Sequence, residues 1–91
     1  HSDHESYAVI KEEVEEALAE ATPITVDLER FWGYVKQNPP PELQTAQRDV
    51  KRGILYQMQT HALRCACEMV QVAAMCEKAV NTMHGGGEDA T

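Results

Sequence analysis

The stretch from Leu55 to Met83, LYQMQTHALRCACEMVQVAAMCEKAVNTM, decides the fold. Apolar and small side chains recur in it at alternating spacings of three and four residues; they are Leu55, Met58, Ala62, Cys65, Met69, Val72, Cys76, Ala79 and Met83. This heptad pattern is typical of a helix packed closely against other helices. Between Ala62 and Cys76 the helix is apolar on nearly every side, which predicts that it is buried.

The rest of the chain also has helical periodicity, so we predict an all-α protein of three helices. The first covers about residues 3–21 and is followed by Thr22-Pro23, interpreted as an N-cap and a proline in the first turn of the next helix. The second covers about residues 23–37 and ends before three consecutive prolines. The third covers about residues 41–83, with a kink expected near Gly53.

We expect one domain over residues 1–84 and a mobile tail over residues 85–91, which begins with three glycines. A third helix of about 60 Å is too long for two shorter helices of the same chain to cover. The sequence therefore predicts a helical bundle completed by a second copy, as a homodimer or a dimer of dimers.

The composition of the chain limits which classes of partner and which cellular compartment we predict for it. A net charge of −7 and a pI near 4.9 disfavour direct binding of nucleic acid. The sequence has no run of 18 apolar residues, so we predict no membrane span, and we recognise no signal peptide. Cys65, Cys67 and Cys76 lack the paired spacing of a zinc site, and we interpret them as reduced, buried thiols of a cytoplasmic protein.

Glutamates are concentrated in the first helix, in the run KEEVEEALAE from Lys11 to Glu20. On a helix, Glu12, Glu13, Glu16 and Glu20 fall within one arc of the surface, while Glu15 points away. Like charges three and four residues apart repel each other. Such a cluster either stays in water as a solvated face or holds a cation.

A narrow polar row crosses the apolar third helix and consists of Gln57, His61, Arg64, Glu68, Gln71 and Lys78. This row is interpreted either as a solvated, ion-paired edge or as a buried line in which Glu68 helps to hold a metal. Oxygen ligands without a Cys/His cluster favour Mg²⁺ or Mn²⁺. The aromatic residues of the second helix, Phe31, Trp32 and Tyr34, fit a helix core and also fit base stacking.

The run Glu12-Glu13-Val14-Glu15-Glu16 resembles the EExxE element of the all-α nucleoside triphosphate pyrophosphohydrolases of the MazG-like superfamily. The segment around Glu68 is similar to small MazG-like proteins of bacteriophages and prophages, although Gln71 stands where the family has Asp in its ExxD element. The resemblance implies dimers of helical subunits and Mg²⁺-assisted attack of water on a nucleotide phosphate, releasing pyrophosphate.

Carried over by position, the resemblance implies metal ligands at Glu12, Glu13, Glu16, Glu68 and Gln71, with Glu13, Glu16 and Glu68 as the catalytic residues. Arg64 and Lys78 are candidate substrate-binding residues. Two alternatives remain open. One is a MazG-fold binding or regulatory protein of phage origin that has lost activity, because the Gln71 amide brings no negative charge. The other is an unrelated acidic assembly domain whose glutamates only face water.

Overall fold

The chain forms a two-helix hairpin in our computed structural model, which describes the backbone of residues 3–90 and the side chains of residues 3–83. Helix α1 runs over Asp3–Val35 and helix α2 over Pro41–Ala90. The described residues contain no strand, so the all-α prediction is confirmed. None of the described helical stretches combines the length and the apolar character that crossing a lipid bilayer requires.

The prediction of three helices is wrong, because α1 continues through Pro23 without a break. Proline has no N–H, so the carbonyl four residues earlier, that of Ala19, loses its helical hydrogen-bond donor. The Thr22 hydroxyl does not cap a new helix; it donates to the Leu18 carbonyl oxygen at 3.4 Å, within the same helix. Packing of α1 along α2 on both sides of Pro23 therefore outweighs the local signal for a break.

The predicted boundaries of the long helix also need correction. Helix α2 is continuous through Gly53, where an added Cβ would meet nothing within 4 Å, and it extends past Met83 to Ala90. Its side chains beyond Met83 lie outside the described part of the chain. The predicted mobile tail over residues 85–91 falls within this stretch beyond Met83.

The hairpin is long and thin, with extents of 75 × 15 × 13 Å and a radius of gyration of 21.1 Å. A compact domain of this length would have a radius of gyration of about 12 Å. Only Ala17, Ile54 and Asp27 are buried among the described side chains. A single copy therefore has almost no hydrophobic core.

The two helices meet along a seam of buried and half-buried residues with heptad spacing. The seam of α1 comprises Ser6, Ile10, Glu13, Ala17, Glu20, Ile24, Asp27, Phe31 and Tyr34. The seam of α2 comprises Lys51, Ile54, Met58, His61, Cys65, Glu68, Val72, Met75, Ala79 and Thr82. The thiol of Cys65 donates to the Ala17 carbonyl oxygen at 3.7 Å, which brings the two helices together at the middle of the hairpin.

The predicted seam of α2 is correct in one of its two rows. Met58, Cys65, Val72 and Ala79 are half-buried against α1. The other predicted row, Leu55, Ala62, Met69, Cys76 and Met83, is exposed in the single chain. Its place against α1 is taken by the neighbouring row Ile54, His61, Glu68, Met75 and Thr82, which is one residue earlier at every position. The helix is therefore rotated relative to the arrangement that its apolar pattern predicts.

Candidate metal centre

Three carboxylates from the two helices converge near the middle of the hairpin. Glu13 and Glu16 come from α1 and Glu68 from α2, and each offers an oxygen that lies within 4.8 Å of the other two. Glu13 and Glu68 lie in the seam, and Glu16 is one helical turn from Glu13 at its edge. This is the one group of three potential metal-binding side chains in the described part of the chain.

The convergence follows from the heptad geometry of the hairpin. Residues three and seven positions apart on a helix share a side, so Glu13, Glu16 and Glu20 line one edge of α1. Antiparallel packing brings Glu68 opposite Glu13 and Glu16. Glu15 points away, as predicted, with a side chain that is 63% exposed and lies 3.7 Å from the Lys11 Nζ.

The surroundings of Glu16 raise the pKa of its carboxyl group. Loss of hydration in the packed hairpin raises the pKa of Glu16 above its ordinary 4.5, and the charge of Glu68, a side-chain hydrogen bond with Glu68 and the charge of Glu12 raise it further. Because the Glu16 side chain is exposed, repulsion by Glu68 and Glu12 contributes more to this rise in pKa than lost hydration does.

In the part of the chain with described side chains, no basic group neutralises the cluster. Among the described residues, none of Glu13, Glu16 and Glu68 has a lysine, arginine or histidine nitrogen within ion-pair distance. Oxygen ligands of an octahedral Mg²⁺ at about 2.1 Å lie about 3.0–4.2 Å apart, so the three oxygens need only a small inward movement to coordinate an ion. An all-carboxylate donor set fits Mg²⁺ or Mn²⁺ and does not favour zinc.

The other predicted ligands lie beside the cluster. Glu12 is exposed and acts on Glu16 through its charge. Gln71 is exposed on α2, one turn beyond Glu68. Neither belongs to the set of three carboxylates, and their roles as ligands remain predictions. Glu20 is half-buried and lines a cavity next to the cluster.

Two open cavities lie on the same side of the hairpin, one on each side of the carboxylates. A cavity of about 380 Å³ includes Arg64, Thr60 and Glu68 in its lining. A second cavity, of about 430 Å³, is mostly apolar and includes Lys78 and Ser6. The structure therefore places each predicted substrate-binding residue in its own cavity; along α2, Arg64 is one helical turn and Lys78 about three turns from Glu68.

A buried polar pair that the sequence analysis missed lies in the seam. Asp27 is 3% exposed, and its Oδ2 accepts a hydrogen bond of 2.8 Å from Nδ1 of His61. The Arg30 Nη1 is 3.8 Å from the other carboxylate oxygen and 3.3 Å from Oε1 of Gln57. One signal was available, because Asp27 continues the seven-residue spacing of Glu13 and Glu20.

The two edges of the seam have opposite character. We call one edge the polar flank; it consists of Val9, Glu16, Pro23 and Arg30 of α1 with Gln57, Arg64, Gln71 and Lys78 of α2. The Arg30–Gln57 contact joins the two helices along this edge. We call the other edge the apolar flank; it consists of Val14, Ala21, Leu28 and Val35 with Leu55, Ala62, Met69, Cys76 and Met83. The apolar flank contains no charged residue.

Comparison with known proteins adds no relative. No family model matches the sequence, and the searches of curated proteins and of solved structures gave no match either.

Proposed function

We propose that this protein is a MazG-like nucleotide pyrophosphohydrolase that depends on Mg²⁺ or Mn²⁺. The observation that carries the proposal is the convergence of Glu13, Glu16 and Glu68, which come from both acidic elements of the resemblance, within 4.8 Å. Mutual repulsion raises the pKa of Glu16, and a divalent cation would relieve that repulsion.

In the proposed reaction, Glu13, Glu16 and Glu68 would hold the metal, and Glu68 would also orient the attacking water. A divalent cation held there would lower the pKa of water and offset the charge that develops on the phosphate in the transition state. Arg64, in the cavity that Glu68 also lines, would contact the pyrophosphate part of the substrate, and Lys78, about 15 Å from Glu68 along α2, would line the cavity on the nucleoside side. The mostly apolar cavity near Lys78 receives the nucleoside.

Calorimetric titration with Mn²⁺, followed by assay of pyrophosphate release from nucleoside triphosphates, tests this proposal. We expect binding and turnover in the wild type and loss of both in Glu68→Gln. The matched control is Glu77→Gln, which removes the same charge from an exposed position of the same helix. Absence of Mn²⁺ binding and of turnover in the wild type at millimolar metal would contradict the proposal.

A second candidate is a catalytically inactive binding or regulatory protein with the same fold. The observation in its favour is Gln71, a neutral and exposed residue at the position where the resemblance expects a carboxylate. The variant Gln71→Asp separates the candidates, because an added carboxylate strengthens metal binding in an intact site of reduced charge. Turnover in Gln71→Asp but not in the wild type would favour the inactive candidate.

The partner that we propose is a second copy of the chain, as a homodimer or a dimer of dimers. The near absence of a core in one copy supports this proposal, and so does the apolar flank. Along the 33 residues of α1, two adjacent helices present a face of about 50 by 20 Å, or about 1,000 Å², which exceeds the roughly 800 Å² per partner of a standard interface.

We further propose that the protein works in the cytoplasm of a bacterial cell, encoded by a phage or a prophage. The resemblance to small phage proteins supports the origin. Cys65, Cys67 and Cys76 are all free thiols, which fits a reducing compartment.

A further inference from the structure

Helix α2 has two overlapping heptad patterns, and the less apolar one faces α1. Both patterns share Met58, Cys65, Val72 and Ala79. The observed packing adds the row that contains His61 and Glu68, whereas the alternative would add the apolar row of Leu55, Ala62, Met69, Cys76 and Met83. Burial of apolar surface by itself favours the alternative.

Helix α1 offers the same choice. Its row Glu13, Glu20, Asp27 and Tyr34 faces α2 and is buried or half-buried. In the apolar row beside it, Val14 and Ala21 are half-buried at the edge of the seam, and Leu28 and Val35 are exposed. In heptad geometry, a rotation of each helix by about 50° exchanges one row for the other. The chain therefore has two possible hairpins, one with polar layers in its seam and one with an entirely apolar seam.

The contact that distinguishes the two hairpins is the buried pair of Asp27 and His61. Their hydrogen bond of 2.8 Å forms only when the two polar rows face each other. Asp27 is 3% exposed, so loss of His61 would leave a buried carboxylate without its closest partner. The carboxylates at Glu13, Glu16 and Glu68 cannot select this packing, because they repel one another.

We propose that Asp27 and His61 are positioning residues whose buried hydrogen bond selects the rotation of the two helices that brings Glu68 to Glu13 and Glu16. A buried polar group that specifies one packing among several apolar alternatives is the best-attested role of such groups. The same rotation leaves the apolar flank outside the hairpin, where a second copy can cover it. The selection of the rotation rests on the geometry of the seam; only its effect on metal binding rests on the proposed function.

The test replaces both members of the pair with leucine, in Asp27→Leu/His61→Leu. We expect unchanged helicity and an equal or higher melting temperature, because apolar replacement of a buried polar pair is often neutral or stabilising. We expect Mn²⁺ affinity to fall at least tenfold, because Glu68 turns away from Glu13 and Glu16. The exchange Asp27→His/His61→Asp keeps the hydrogen bond and should restore Mn²⁺ affinity.

A second readout does not depend on metal. Spin labels at Val9→Cys and Lys78→Cys, with the three native cysteines replaced by alanine, report the distance across the polar flank, because both positions line one cavity. We expect this distance to lengthen by several ångströms in the leucine variant and to return in the exchanged variant. The matched control is Lys11→Leu/Glu15→Leu, which removes an exposed ion pair and should leave the distance unchanged.

The two readouts separate the two proposals. A leucine variant with the wild-type label distance overturns the positioning role, whatever its Mn²⁺ affinity. A lengthened distance supports the positioning role, even if the wild type binds no Mn²⁺. Lack of Mn²⁺ binding by the wild type would count only against the proposed function.

Discussion

The polar and apolar flanks lie on opposite edges of the same seam, and they differ in charge and in the presence of cavities. The polar flank contains Arg30, Arg64 and Lys78, lies beside the carboxylate cluster and holds both cavities. The apolar flank is continuous from Val14 to Val35 on α1 and from Leu55 to Met83 on α2, with no charge. The contrast fits the proposed division of the hairpin into one edge for chemistry and one edge for assembly.

The largest expected effect comes from breaking the polar side of the seam with His61→Leu. This change leaves the Asp27 carboxylate buried, with only the exposed Arg30 nearby. We expect the free energy of unfolding to fall by about 3 kcal/mol. Urea denaturation at fixed protein concentration measures this loss, with Gln59→Leu, at an exposed position of the same helix, as the control. Equal stability of the two variants would mean that the pair contributes nothing.

The next effect comes from placing a charge on the apolar flank with Met69→Lys. Met69 is 46% exposed in one copy, so the hairpin itself tolerates lysine, whereas an interface between copies does not. We expect the dimer dissociation constant to rise about 30-fold, or about 2 kcal/mol, by sedimentation equilibrium. The control Val70→Lys places the charge at a position that is 65% exposed, one residue further from the flank. Equal dissociation of both variants would contradict the assignment of this flank.

A smaller effect comes from the titration of Glu16. Its folded-state pKa is raised, so over the interval from about 4.5 to that raised pKa the folded state holds a proton that the unfolded state has lost. Stability in metal-free buffer should therefore fall as the pH rises through this interval. Glu16→Gln should flatten the decline in melting temperature, and Glu15→Gln should leave it unchanged. If the melting temperature of Glu16→Gln falls with pH at the same slope as that of the wild type, a group other than Glu16 causes the decline.

The smallest expected effect is at the exposed ion pair of Lys11 and Glu15. Both side chains are more than half exposed, and their nitrogen–oxygen distance is 3.7 Å. We expect Lys11→Ala to change the free energy of unfolding by less than about 0.5 kcal/mol and to leave Mn²⁺ affinity unaltered. A larger loss in urea denaturation would show that charges on the outer surface of α1 matter as much as those in the seam.

The helical class could be predicted from periodicity, and so could the acidic residues that meet. Glu13, Glu16 and Glu68 were singled out by spacing and by resemblance, and the structure brings their carboxylates together. The break at Pro23 was predicted from a local signal, which long-range packing of α1 against α2 overrides. Local sequence rules describe the cost of an internal proline but not the contacts that offset it.

The rotation of α2 could not be predicted, because the choice between its two rows depends on a contact between residues 34 positions apart. Apolar content favours the row of Leu55 and Met69, and only the partner of His61 on the other helix decides against it. Asp27 carried a weak signal, since it continues the spacing of the glutamates on α1. The periodicity of α2 by itself does not show which residues of α1 its side chains will contact.

The most direct test of the account is an anomalous difference map from a crystal soaked in Mn²⁺. We expect a Mn²⁺ peak within coordination distance of carboxylate oxygens of Glu13, Glu16 and Glu68, on the polar flank of each copy. We expect no such peak in crystals of Glu68→Gln soaked in the same way. Well-ordered carboxylates without any peak at millimolar Mn²⁺, or a peak that involves none of these residues, would contradict the central claim.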